Sequence, residues 1–113
     1  MSAVDVARYN WRADLQEYTG ALLRQAGLDG MAETNEKSAA DHRKYAELMS
    51  TLSDAKATFA ASAKTEADLA AYRAAKSAVA AQRGALRETG TPRPGVVDNF
   101  SEPTAAELTG LGY

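Results

Sequence analysis

The feature that most narrows the fold is a pair of apolar stripes between about residues 38 and 88, separated by a short break. Tyr45, Leu48, Leu52, Ala55 and Phe59 recur at alternating steps of three and four, and Leu69, Tyr72, Val79 and Leu86 keep the same beat. Between them stands Ala63-Lys64-Thr65-Glu66-Ala67-Asp68, where the Thr65 hydroxyl can cap a new helix and Asp68, three residues on, can reach back to it. A helix that stops and restarts within about three residues must reverse, so the two stripes face each other as an antiparallel hairpin.

A third helix precedes the hairpin. Ser2 is placed to cap it and Asp5 to close a capping box, and Val4, Trp11, Leu15, Tyr18 and Leu22 line one apolar face. Gly20 interrupts the run, and Gly27 followed by Leu28 marks its end as a Schellman turn with Leu28 set against Leu23. Only Asp29 and Gly30 separate it from the next pattern, so it lies antiparallel to the long helix. The opening of that long helix, Ala32-Glu33-Thr34-Asn35-Glu36-Lys37-Ser38, is polar nearly all round, with Glu33 and Lys37 spaced to pair, and packing is expected to hold it weakly.

The sequence therefore predicts an all-α fold: an antiparallel hairpin extended to three helices in up-down-up order. The helices span about residues 3–26, 31–63 and 66–88 in a bundle covering 1–88. The first and third helices overlap only along the middle of the second, which leaves apolar strips near Tyr18 and Phe59 with a single neighbour. From Thr89 the chain changes character. Gly90, Pro92, Pro94 and Gly95 make residues 89–95 a linker, and the rest of 89–113 is an arm. That arm carries Val96, Val97, Phe100, Leu108, Leu111 and Tyr113, with a short helix over 102–109 capped by Ser101 and ended by Gly110. It docks either on its own bundle or on another subunit.

Composition excludes several kinds of chemistry. There are no cysteines, and the net charge is -2, which gives no global pull toward nucleic acid. Met1-Ser2-Ala3-Val4-Asp5 lacks the basic and apolar regions of a signal peptide, and no run reaches the roughly 18 apolar residues of a membrane span. Cytoplasmic synthesis is the expectation. The single histidine, His42, has no set of ligands at metal-binding spacing and is expected at the surface or the bundle edge. With no phosphate-binding glycine loop, Glu-x-x-His pair or nucleophile elbow, neither catalysis nor a cofactor or metal is expected.

One charged feature remains. Arg73, Lys76, Arg83 and Arg87 form a basic row on the third helix, spaced to pair with acids such as Glu47 and Asp54, to meet an acidic protein partner or, as the least favoured reading, to hold a phosphate backbone.

The hairpin has the length of the small secreted proteins of type VII secretion, but it departs from them at both diagnostic places. Its turn reads Lys64-Thr65-Glu66 instead of Trp-x-Gly, and Tyr72 is followed four residues later by Lys76 instead of an acid. Ala-rich helices with a terminal arm are also the general design of small helical components of phage virions, although no motif of such a family is present. The expectation for function is a non-enzymatic structural or assembly protein acting in several copies, with a virus or phage particle as its setting. Trp11, Tyr18, Val96, Val97, Phe100, Leu108 and Tyr113 would make its subunit contacts. The alternative is a small adaptor or inhibitor that offers its basic row to an acidic protein.

Overall fold

The computed structural model describes residues 3–62, 64–88 and 103–113, with the side chains of residues 3, 4, 87 and 88 left aside. Three long helices, α1 (Ala3–Gln25), α2 (Asp29–Ala61) and α3 (Glu66–Glu88), are followed by a short α4 (Ala105–Gly110). The fold is all-α, and α2 is its spine: α1 and α3 both pack on it, while among the described residues the backbones of α1 and α3 do not come within 8 Å of each other. Ser2, residues 89–95, Val96, Val97, Phe100 and Ser101 lie outside the described residues, as do the side chains of Val4 and Arg87.

The hairpin closes where its apolar stripes meet. Tyr45 and Met49 of α2 join Val79 and Leu86 of α3 in one buried cluster, against which Leu48, Leu52 and, from α1, Val6 and Tyr9 are packed. Farther along, Phe59 and Tyr72 meet at 6.0 Å between ring centroids. The reversal is held by side chains: the Lys64 amide donates to Ser62 Oγ at 3.0 Å, and the Asp68 amide donates to Thr65 Oγ1 at 3.2 Å. The Thr65 hydroxyl in turn donates to the Asp68 carboxylate.

At the other turn, Gly27 adopts φ +79°, and the Leu28 and Gly27 amides reach the carbonyls of Leu23 and Arg24 at 2.9 and 3.0 Å. These two bonds are the Schellman pair, and they satisfy carbonyls that the end of α1 would otherwise leave open. Helix α2 resumes at Asp29, two residues sooner than the sequence pattern implies.

The seam between α1 and α2 departs from expectation. It is not built from Trp11, Leu15, Tyr18 and Leu22. The α1 residues turned toward α2 are Val6, Tyr9, Ala13, Gln16, Gly20 and Leu23, and on α2 they face Ala32, Asn35, Ala39, His42, Ala46 and Met49. Both sets advance by alternating steps of three and four, the spacing of a coiled-coil seam. Small side chains decide the choice, because Ala13, Ala32 and Ala39 let two backbones approach where Trp11 or Tyr18 would hold them apart. At Gly20 a Cβ would lie 3.5 Å from the Ala32 carbonyl oxygen and 3.3 Å from Glu36 Cγ. The polar opening of α2 is thus packed beneath α1, and Lys37 faces Asp41 at 3.9 Å rather than Glu33.

The tail helix also differs in its start. Thr104, not Ser101, caps it: the Glu107 amide donates to Thr104 Oγ1 at 3.2 Å, and the Thr104 amide reaches Glu107 Oε1 at 3.4 Å. Pro103 immediately precedes the cap and Leu108 is the fourth helical residue, and both are buried, the arrangement of a hydrophobic staple. The helix stops after Gly110, and Gly112 at φ +94° is the left-handed residue that closes it. Its amide and that of Tyr113 bond back to Thr109 and Leu108.

Candidate interaction surface

Helix α4 docks on α1 and on no other described helix. Its anchor is a polar junction that ties three elements together. The Tyr113 hydroxyl donates to Asp14, Arg43 of α2 donates to the same carboxylate, and Arg43 Nε donates to Glu17 Oε1 at 3.0 Å. Its hydrogen bonds to Glu17 and Asp14 hold the Arg43 guanidinium in its charged form. A second clamp closes the far end of α1, where Arg24 grips Glu36 through two bonds of 2.6 and 2.9 Å. The hydrogen bond from Arg24 holds the Glu36 carboxyl below its usual range.

This junction is expected to make α4 docking dependent on pH. Burial pushes the Asp14 carboxyl up, but the hydrogen bonds from Tyr113 and Arg43 and the charge of Arg43 outweigh it, so the net shift is downward from 3.8. A carboxyl held low contributes in full above pH 3.8, and its contribution disappears as pH falls below that value. Partial burial, then the bond to Asp14, pushes the Tyr113 phenol from 10.0 up to about 12. Its contribution is complete below pH 10.0 and is lost as pH rises through about 12. With 13C-labelled tyrosine rings, the Tyr113 signal is expected to titrate near 12, and Tyr113→Phe to remove the alkaline loosening of α4. Titration at the ordinary 10.0 would contradict the docked arrangement.

Burial divides the aromatic face of α1 into two halves. Residues 5–16 are all buried or half-buried, Trp11 and Leu15 among them. From Glu17 onward the side away from α2 is open, and Tyr18 and Leu22 continue the same stripe into solvent. Leu28 in the turn and Met31 at the start of α2 are exposed as well, and Leu111 stands exposed beside the Tyr113 anchor. Exposure of these apolar residues runs from 43 % at Leu22 to 64 % at Tyr18.

The other residues singled out by sequence fall elsewhere. Leu108, expected at a subunit contact, is buried within its own chain, whereas Tyr113 remains partly accessible. On α3, Arg73, Lys76 and Arg83 are exposed and none forms an ion pair with Glu47 or Asp54: Arg83 donates to the Tyr45 hydroxyl at 3.2 Å, and Lys76 lies 5.7 Å from the Tyr72 ring centroid. His42 is not at the surface. It occupies a seam position, 1 % exposed, because its ring fills the step between Ala39 and Ala46 against Tyr9.

Sequence reasoning missed the polar layer around His42. There the Gln16 amide donates to Ser38 Oγ at 3.0 Å across the seam. The signal was the three-and-four recurrence of small and polar residues, which a search for large apolar side chains passes over.

Among the described residues no group of three His, Cys, Asp or Glu side chains is arranged to hold a metal, and no helix is long and apolar enough to cross a membrane. Comparison with protein-family models, curated proteins and solved structures gives no match.

Proposed function

We propose that the chain is a non-enzymatic structural or assembly protein that works in several copies, joined through the open half of the α1 stripe. The observation that carries this reading is the set of large apolar side chains left exposed at the end of α1 and the start of α2. Trp11 and Leu15 are half-buried, while Tyr18, Leu22, Leu28 and Met31 stand exposed among the described residues. An aromatic and three large aliphatic side chains on two helices joined by a tight turn form a rigid contact that loses little entropy on binding. Leu111 and Tyr113 lie at the edge of this face and bring the arm into the same contact. A virus or phage particle, in which many copies of a small chain meet, is the setting that makes the fullest use of such a surface.

The test is the paired variant Tyr18→Ser and Leu22→Ser. Neither side chain is in the seam, so helicity and unfolding midpoint are expected to change little, whereas self-association is expected to weaken by at least tenfold, as the loss of one to two apolar anchors implies. Unchanged association would remove this face from the proposal.

The exposed cations of α3 favour a second reading, in which Arg73, Lys76 and Arg83 meet an acidic protein. That reading predicts a binding reaction weakened by salt and by charge reversal at Arg73 and Arg83, with self-association untouched.

A further inference from the structure

His42 is the only histidine in the chain, and it lies at the middle of the α1–α2 seam. Its Nδ1 stands 2.7 Å from the Ser38 carbonyl oxygen, so Nδ1 carries the hydrogen and donates it. That bond fixes the neutral tautomer and leaves the lone pair on Nε2. Among the described residues the hydrogen bonds of the ring are made at Nδ1, to Ser38, and none is made at Nε2.

The charges around the ring oppose a cation. From α1 come the Tyr9 ring face, stacked at 5.7 Å, and Arg12, whose guanidinium lies 5.1 Å from the Tyr9 centroid, with Arg8 one turn before it. On α2 the Asp41 carboxylate favours a charged ring, but it also faces Lys37. The groups from α3 are neutral Gln82, bonded to the Asp41 carbonyl, and Arg83, bonded to the Tyr45 hydroxyl. Burial, the largest influence, together with Arg12 outweighs the help from the Ser38 carbonyl and Asp41, so the ring is held in its neutral form below its usual 6.5.

We propose that His42 is an acid-sensitive lock on α1: a solvent proton gained at Nε2 sets an unpartnered imidazolium between α1 and α2, and α1 leaves α2 while the α2–α3 hairpin persists. The hairpin persists because the contacts of Met49 with Val79 and Leu86, and of Phe59 with Tyr72, do not pass through the His42 ring. Tyr18 and Leu22 of the open stripe, and Asp14 of the α4 site, lie on α1, so acid would part them from Met31 and Arg43 on α2 and break up the contact surface. The lock itself does not depend on the assembly reading.

The sign is fixed by the ring's preference for neutrality. Stabilisation is complete above pH 6.5, and below it the opening of α1 is expected to rise about tenfold per pH unit until the folded chain also takes up the proton. The experiment uses the full chain between pH 7.5 and 4.5. It follows the lone histidine ring by NMR and amide hydrogen exchange, corrected for intrinsic rates, in α1 and α3. The expected result is a ring that titrates below 6.5, with protection falling in α1 and held in α3. His42→Gln, which can still donate a hydrogen bond but cannot gain the proton, should flatten the α1 response. Arg12→Gln should raise the midpoint of ring titration, and this readout serves even if the His42 variant folds poorly. A ring that titrates at or above 6.5, or α1 protection that does not fall with acid, would overturn the proposal.

Discussion

Truncating Met49 to alanine is expected to destabilise the chain by about 2–5 kcal/mol, the range for deleting a buried long apolar side chain. Met49 is enclosed in the cluster with Tyr45, Val79 and Leu86, and it also ends the row of α2 residues that face α1. Both neighbouring helices therefore border the cavity that truncation would leave, and neither can close it without losing register on the other side. A domain of this size has about 5–15 kcal/mol in total, so the effect would be read as a large drop in the urea midpoint with little change in slope. A loss below about 1 kcal/mol would mean that the junction of the three helices is not closed.

The second large effect is expected from adding volume. Ala39→Leu inserts a branched side chain where α1 and α2 approach through small residues, and overpacking of this kind costs about 1–3 kcal/mol. Its effect is also directional. The added atoms press on α1, so amide protection should fall first in α1 and last in α3. Ala40→Leu provides the control, because Ala40 is exposed one residue away and leucine is a good helix former. Equal responses from the two variants would contradict the assignment of the seam.

The hairpin was legible because its information is carried by large side chains. Tyr45, Leu48, Leu52 and Phe59 on α2, and Tyr72, Val79 and Leu86 on α3, announce a helical period and a common face, and Thr65 with Asp68 announces the restart. Gly27 and Leu28 likewise marked the end of α1, because a left-handed residue followed by an apolar one has a local geometric meaning.

The α1–α2 seam was obscured by the same rule. Trp11, Leu15, Tyr18 and Leu22 form the more apolar stripe of α1, but Ala13, Gln16 and Gly20 permit the closer approach, and size rather than hydropathy selects the packed face. The position of His42 follows from that rotation.

The junction of Tyr113, Asp14 and Arg43 left no trace in local pattern, since its members are brought together from α4, α1 and α2 only by the finished fold. What the sequence did supply for the candidate surface was Tyr18 and the apolar character of the arm. The structure adds that Leu108 is used internally and that Leu22, Leu28 and Met31 complete the exposed face.

The central claim is that this face joins copies of the chain, and light scattering coupled to size-exclusion chromatography across a wide concentration range tests it most directly. Circular dichroism at the same points separates association from folding. The account predicts a mass that rises above that of the monomer with concentration while helicity stays constant, because all the described helices already pack within one chain. A monomer mass at every concentration, with full helicity, would contradict it and leave Tyr18, Leu22, Leu28 and Met31 without a partner of their own kind.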